Sequence, residues 1–333
     1  MINKKLKLSD KLFKRDIDKI PTRNGYGEGL VEAGENDENV VVLCADLSDS
    51  TRSSYFKKKF PKRFIEVGVA EQALATIASG MAAYGKIPFI SSYAVFSPGR
   101  NWEQIRTTIA LNDIPVNIGG AHAGISVGPD GATHQALEDI TLMRVIPNMV
   151  VLAPCDSIET KKAILAAAKN KKPTYIRFAR EETEVMTTNE TPFEIGKAEI
   201  FWESRDPKAA IIACGPLVYE ALKAAKKLRE SKIETLVVNC HTIKPLDQQL
   251  IIRAAKTTGA VVTVEEHQVN GGLGSAVAEL LSDNFPAPIE FVGMPDSFGE
   301  SGKPSELLKK YKMTSYDIAL AVKRVIRKSV NMS

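Results

Sequence analysis

The sequence predicts an α/β protein of two domains, each built on a largely parallel sheet. Three observations carry that expectation. From Thr22 onward, short apolar runs rich in Val and Ile alternate with helix-length segments. The alternation breaks once, between Glu181 and Pro192, where EETEVMTTNETP is polar and has no period. The 333 residues are also enough for two ordinary domains with full cores. The expected division is an N-terminal extension 1–21, a first domain 22–185, a linker 186–204 and a second domain 205–328.

In the first domain Thr22 to Glu35 reads as a helix, and Asn39 to Ala45 (NVVVLCA) as a fully buried strand that empties into a polar loop from Asp46 to Thr51. Polar residues at the carboxyl end of a parallel strand are where such sheets bind ligands. Arg52 to Phe60 is expected on the surface. Glu71 then opens a helix crowded with Ala73, Ala75, Ala78, Ser79, Gly80, Ala82 and Ala83, small enough for neighbours to close over its first turn. A carboxylate there loses its water, which suits a group that shares a proton with a basic nitrogen. Lys86 to Phe96 reads as a buried strand leading into an aromatic loop, Tyr93-Ala-Val-Phe96. An acid and an aromatic face on one helix–turn–strand unit are able to hold a flat heteroaromatic ring. Taken singly, Glu71 reads first as a first-turn acid answering the helix dipole, and Phe96 as a plain core ring. A helix from Trp102 to Ala110, a strand from Val116 to Gly120, a helix from Ile158 to Lys169 and a strand from Pro173 to Arg180 complete the domain. The second domain repeats the alternation. Its strands are Ala209 to Cys214, Glu234 to Asn239, Ala260 to Val264 and Ile289 to Val292; its helices are Val218 to Ser231, Gln248 to Thr257, Ser275 to Leu281 and Ser315 to Arg327.

A second dense motif, AHAGISVGPDGATHQALED, runs from Ala121 to Asp139 and sets His122 and His134 around a glycine-rich loop with Asp130. Glycines let backbone approach a ligand, and imidazoles donate to or accept from sugar hydroxyls and carbonyls. Metal ligation is the alternative for a histidine pair, but no cysteine or second acid is spaced to complete a site, so no metal ligand is expected in this chain. The net charge of +4 is small and spread along the chain, and the lysine-rich stretches Lys4 to Lys19 and Lys57 to Arg63 read as solvated faces, so no nucleic acid is expected. No 18-residue apolar run and no signal-peptide pattern occur, which argues against a membrane or secreted protein. Cys44, Cys155, Cys214 and Cys240 are scattered through apolar runs and read as buried free thiols of a cytoplasmic protein.

The stretch from Glu66 to Arg106 resembles the pyrimidine-binding domain of the transketolase family, and the motif from Ala121 to Asp139 resembles its substrate loop. VEEHQVNGGLGSAVAE (Val264 to Glu279) and MPDSFGESG (Met294 to Gly302) are similar to its C-terminal domain, so the resemblance covers about Thr22 to Ile326. It implies a thiamine diphosphate-binding α/β domain followed by the family's C-terminal α/β domain. Glu71 matches the glutamate that bonds N1′ of the cofactor's aminopyrimidine and drives the tautomer that deprotonates the thiazolium. Phe96 matches the ring that stacks on that pyrimidine, with Tyr93 and Asp46 expected beside the cofactor. His122, Asp130 and His134 match, in order and spacing, the groups that contact the ketose. Arg23 and Arg180 match arginines that hold the substrate phosphate, a task suited to their forked donors, although surface ion pairing is the plain alternative. Asp46 and Ser50 match positions in a loop lining the same cleft. His267 and Gly271, Gly272 and Gly274 suggest a phosphate loop, but the family uses this region for folding and subunit contact. Gly99 departs from the pattern, because many transketolases carry a third aromatic there; Trp102 is expected to take its place.

The resemblance further implies transfer of a two-carbon ketol unit between sugar phosphates, as in the pentose phosphate pathway, with Mg2+ bridging the cofactor's diphosphate. In the family that diphosphate is held by a separate domain bearing a GDG motif. About twenty residues precede Thr22, and Val127 to Gly131 belongs to the substrate loop instead. An N-terminal subunit is therefore expected to supply those ligands within an α2β2 heterotetramer. The alternatives are a 1-deoxyxylulose-5-phosphate synthase-like enzyme or a 2-oxoacid dehydrogenase E1 β subunit, against which His122 argues, and a non-catalytic regulatory or binding subunit, against which the intact set of polar residues argues.

Overall fold

Val40–Cys44 is apolar and buried at every position, the mark of a parallel strand covered on both faces. It lies inside a seven-stranded sheet in the order Thr242–Lys244, Val150–Leu152, Thr174–Arg177, Asn117–Ala121, Ile87–Tyr93, Val40–Cys44 and Phe64–Glu66. All neighbours are parallel except the first pair. The second sheet runs Ile289–Met294, Val261–Gln268, Ala209–Ala213, Thr235–Asn239 and Glu199–Trp202, parallel apart from its last strand. This computed structural model describes residues 1–332, and it bears out the two-sheet α/β expectation. The Glu71–Ala83 helix packs Leu74, Ala75, Ala78 and Ala82 into the core as its small residues require. All four cysteines are buried and free.

Four segments differ from the sequence reading. Arg52 to Phe60 is not merely surface: Ser54–Lys59 is helical and Phe56 is fully buried. A single large apolar side chain among lysines tucks beneath the first helix, where the polar composition hid it. The extension 1–21 is woven into the fold, since Leu6 and Leu12 join the second domain's core and Lys19–Pro21 pairs antiparallel with Glu182–Glu184. The stretch 186–204 is likewise packed. Met186 and Thr187 donate their amides to Asp156, at 2.7 and 2.6 Å, and Glu199–Trp202 becomes an edge strand of the second sheet. Its polar residues satisfy backbone locally, a pairing that hydrophobic periodicity does not register. The expected Trp102 to Ala110 helix is a short α turn, Trp102–Gln104, continued by a π-helix, Ile105–Ala110.

The two sheets are interlocked. Thr242–Lys244 comes from the second half of the chain yet closes the edge of the first sheet. Arg177, at the end of its strand, is buried; it pairs with Asp139 at 2.9 Å and donates to the carbonyls of Ala136 at 3.3 Å and Glu266 at 2.7 Å. The Glu266 carboxylate in turn accepts the Ser126 amide, so the second domain grips the loop that follows His122. Replacing Asp139 by alanine leaves Arg177 as an uncompensated buried charge and is expected to cost about 3–5 kcal/mol in urea unfolding; a loss below about 1 kcal/mol would show that the pair does not bind the halves together.

Candidate active site

Four adjacent parallel strands deliver the polar residues. Val40–Cys44 runs out to Asp46, Ile87–Tyr93 to the aromatic loop, Asn117–Ala121 to His122, and Thr174–Arg177 to Arg180. His122 and Asp46 both turn off their strands through left-handed backbone, with φ of 54° and 58°. Such conformations are uncommon outside glycine and cluster at ligand sites, where the surroundings hold them.

Glu71 is 4% exposed at the first turn of its helix. The burial expected of it is present, but the acid also has a partner that the sequence did not reveal: Arg100 Nη1 donates to both carboxylate oxygens, at 3.1 and 3.3 Å. Asn101, fully buried, donates to the Glu71 carbonyl at 2.9 Å and to Ser97 Oγ at 3.1 Å, fixing the acid from behind. The Arg100 guanidinium lies over the Phe96 ring, 4.0 Å from its centroid. Phe96 stacks near Tyr93 at 5.9 Å and meets His134 edge-on at 5.5 Å, while Tyr93 meets His122 at 4.0 Å and His134 at 6.1 Å. Tyr93, Phe96, His122 and His134 therefore form one cluster. Trp102 stays out of it: its indole N–H donates to the Leu142 carbonyl at 2.8 Å and the ring packs on the core. Gly99 has a steric reason, because a Cβ there would collide with the Val95 carbonyl.

His122 is buried, and burial, reinforced by Arg23, Arg180, His134 and Arg52, lowers its pKa from 6.5 to about 3. The ring is neutral. Arg23 Nη1 sits 3.5 Å from its Nε2, and a ring that accepts there carries its proton on Nδ1, which is buried without a partner. Arg23 Nε is also buried and unpartnered, and burial together with Arg52 and Arg180 lowers that side chain's pKa as well. Arg23 is otherwise held by the Ser50 carbonyl at 3.0 Å. Thr22 Oγ1 bridges the Ala179 amide and carbonyl, at 2.7 and 3.2 Å, keeping Arg23 near Arg180. Asp130 pairs with Arg180 at 3.3 Å, both about a third exposed. Asp46 is exposed, with its amide donated to Glu66 at 2.7 Å. The arrangement offers an anion three guanidiniums and a polyol two imidazoles.

The glycines at 271–274 are otherwise engaged. Glu265 accepts the Leu273 and Gly274 amides at 2.7 and 2.8 Å, and a Cβ on Gly272 would strike that carboxylate. Among the described residues no three His, Cys, Asp or Glu side chains come together as metal ligands, and no helix is long and apolar enough to cross a membrane. Sequence reasoning missed Arg100, Arg52 and Glu266. Arg100 stands one turn past Phe96, and Glu266 is an acid inside an apolar strand, the two signals that were there to be read.

Sheet topology and the residues along its carboxyl edge point to one class, the thiamine diphosphate-dependent proteins of the transketolase type. The chain belongs to the transketolase family: residues 18–185 match its domain described as "Transketolase, pyrimidine binding domain" and residues 196–318 that described as "Transketolase, C-terminal domain". It is 47% identical over 309 residues to a Methanocaldococcus jannaschii protein named as a transketolase C-terminal section, covering 92% of this chain and 96% of that one. Against transketolase of Homo sapiens it is 37% identical over 314 residues, 94% of this chain but 50% of the human protein, so it spans half of that relative. A solved chain described as a split gene transketolase in an inactive β4 tetramer superposes with a TM-score of 0.86 at 45% identity, covering 92% of this chain and 99% of that chain.

The depressed His122 value has a definite consequence. Between about pH 8 and 5 its ring carbons are expected not to titrate by NMR, and a midpoint above about pH 5 would contradict the burial argument. Because the folded value of about 3 lies below the ordinary 6.5, the unfolded chain binds the extra proton between those two values. The stability His122 contributes is complete above the upper value and is lost as pH falls toward the lower.

Proposed function

We propose that this chain is the C-terminal subunit of a split transketolase, moving a two-carbon ketol unit from a ketose phosphate to an aldose phosphate. The observation that carries the reading is a buried carboxylate beside an aromatic face, Glu71 and Phe96, with a flat N–H donor seated between them. Those residues fit an aminopyrimidine: Glu71 would bond a ring nitrogen, Phe96 and Tyr93 would supply the aromatic face, and Asp46 stands at the neighbouring strand end. When bound, thiamine diphosphate supplies the nucleophilic carbon of the transfer. Its diphosphate and Mg2+ are assigned to an N-terminal subunit bearing a GDG motif, with two copies of each chain in the assembly. The names of the relatives support that assignment, one being called a C-terminal section and the β4 form of another inactive. Four free, buried thiols support a cytoplasmic setting.

Each side chain then has a task its surroundings suit. Glu71 holds and returns a proton at a ring nitrogen. His122, kept neutral, uses its unpartnered Nδ1–H toward a substrate oxygen, and His134, across the same rings, takes and gives protons there. Arg23 and Arg180 anchor phosphate, whose charge relieves the crowding of Arg23, Arg52 and Arg180. Asp130 exchanges Arg180 for a sugar hydroxyl, and the Ser50 carbonyl keeps Arg23 aimed.

With the partner subunit, Mg2+ and thiamine diphosphate present, Glu71→Ala is expected to lower ketol transfer from xylulose 5-phosphate by about a hundredfold or more while leaving circular dichroism and unfolding midpoint nearly unchanged. Retained transfer would falsify the role of Glu71, and pyruvate acting as the better donor in the unaltered complex would overturn the reaction. Arg23→Ala is expected to weaken a phosphorylated ketose by roughly tenfold or more while leaving its unphosphorylated counterpart nearly untouched. Equal losses for both sugars would remove the phosphate assignment.

A further inference from the structure

Arg100 occupies the place that the cofactor reading gives to a ring. Its guanidinium is planar, cationic and rich in N–H donors; it lies over Phe96 at 4.0 Å and donates to both oxygens of Glu71. An aminopyrimidine would present the same three properties to the same two residues: a flat face, an N–H toward a carboxylate, and growing positive charge as it takes a proton. The two occupants cannot be there together, because one aromatic face and one carboxylate edge are shared.

The mobility of the partners is unequal. Glu71 is 4% exposed on its side chain and is pinned through its backbone by the buried Asn101, whereas the Arg100 side chain is 50% exposed. The further hydrogen bond of Arg100 among the described residues is made by its backbone amide, donated to the Phe96 carbonyl at 2.7 Å, so the side chain is held by Glu71 and Phe96 alone among them. The acid stays and the cation leaves. Resting on the cofactor reading above, we propose that Arg100 is a stand-in for the pyrimidine, neutralising Glu71 and covering Phe96 until the cofactor displaces it, and so setting the affinity for the cofactor's ring.

The size of the effect follows from what must be broken. A half-exposed ion pair and a partly exposed cation–π contact are each modest, and together they reduce the fraction of ready sites by on the order of tenfold. Removing the competitor raises apparent affinity by that factor, since Kd,app is the intrinsic constant divided by the ready fraction.

The test compares the complex with its partner subunit in the unaltered form and as Arg100→Ala and Arg100→Lys, titrated calorimetrically with thiamine diphosphate plus Mg2+ and separately with inorganic pyrophosphate plus Mg2+. The expected result is thiamine diphosphate binding about tenfold tighter in Arg100→Ala, with a faster association rate, pyrophosphate binding unchanged, and Arg100→Lys close to the unaltered protein. Unchanged or weaker thiamine diphosphate binding in Arg100→Ala overturns the proposal, the second outcome making Arg100 a ligand of the cofactor instead. A parallel gain for pyrophosphate also overturns it, because that probe has no ring to compete. If no form of the complex binds thiamine diphosphate, the cofactor reading itself fails and the stand-in role goes with it, a result distinct from the other two.

Discussion

Neighbouring strands of a parallel sheet lie about 4.8 Å apart and end on the same side, so whatever follows them is gathered within reach of one small molecule. In this chain that constraint does most of the assembly. Asp46, the Tyr93–Phe96 loop, His122 and Arg180 are separated by more than 130 positions in sequence and share one edge because Val40–Cys44, Ile87–Tyr93, Asn117–Ala121 and Thr174–Arg177 are successive in the sheet. Glu71 arrives by a different route, at the start of the helix that precedes the second of those strands. Its burial follows from the small residues behind it, which let the helix settle against the sheet.

Charge at that edge is arranged with a deficit. Arg23, Arg52 and Arg180 act on His122 with the same sign, and burial adds to them, so the imidazole stays neutral and Arg23 is itself disfavoured as a cation. Asp130 and Glu181 both pair with Arg180, and Glu181 acts on Arg23 as well, but burial and the neighbouring guanidiniums still leave Arg23 lowered. A site that keeps buried donors unpartnered, as at Arg23 Nε and His122 Nδ1, is poised for a ligand that is both anionic and oxygen-rich. The same logic runs in reverse at Glu71, where the buried group is an acid and the protein itself supplies the cation.

Much of this was legible in the sequence because it depends on local pattern. Buried strands announce themselves as apolar runs, and the residues immediately after them fall at the sheet edge whatever the details of packing, which is why His122, Asp46 and Arg180 were placed correctly relative to the strands. What failed to register depends on partners distant in sequence. Glu199–Trp202 and Thr242–Lys244 are short edge strands whose identity comes from the strand beside them, and Lys19–Pro21 is a strand only because Glu182–Glu184 pairs with it. Trp102 looked available to the aromatic cluster by spacing alone, yet a carbonyl forty residues away claims its N–H. Arg100 left one trace, its place one turn past Phe96, but its partner is Glu71 on the preceding helix, 29 positions away, which no local pattern records.

The pair Glu265 and Glu266 shows how the second domain divides its carboxylates between its own loop and the histidine loop. Consecutive residues of a strand point to opposite faces, and within Val261–Gln268 the two carboxylates part accordingly. Glu265 turns to its own loop and consumes the Leu273 and Gly274 amides, which closes that loop to an external phosphate. Glu266 turns across the domain boundary to the Ser126 amide, four residues beyond His122, while its carbonyl receives Arg177. Gln135 adds a further tie to the Glu300 carbonyl at 2.8 Å, just after His134. Both ends of the histidine loop are therefore fastened to the second domain, and the separation of His122 from His134 is set by a body that contributes neither. A glycine-rich loop free of such ties would pay its ordering entropy each time a ligand bound; here folding has met that cost once, through the contacts of Glu266, Arg177 and Gln135.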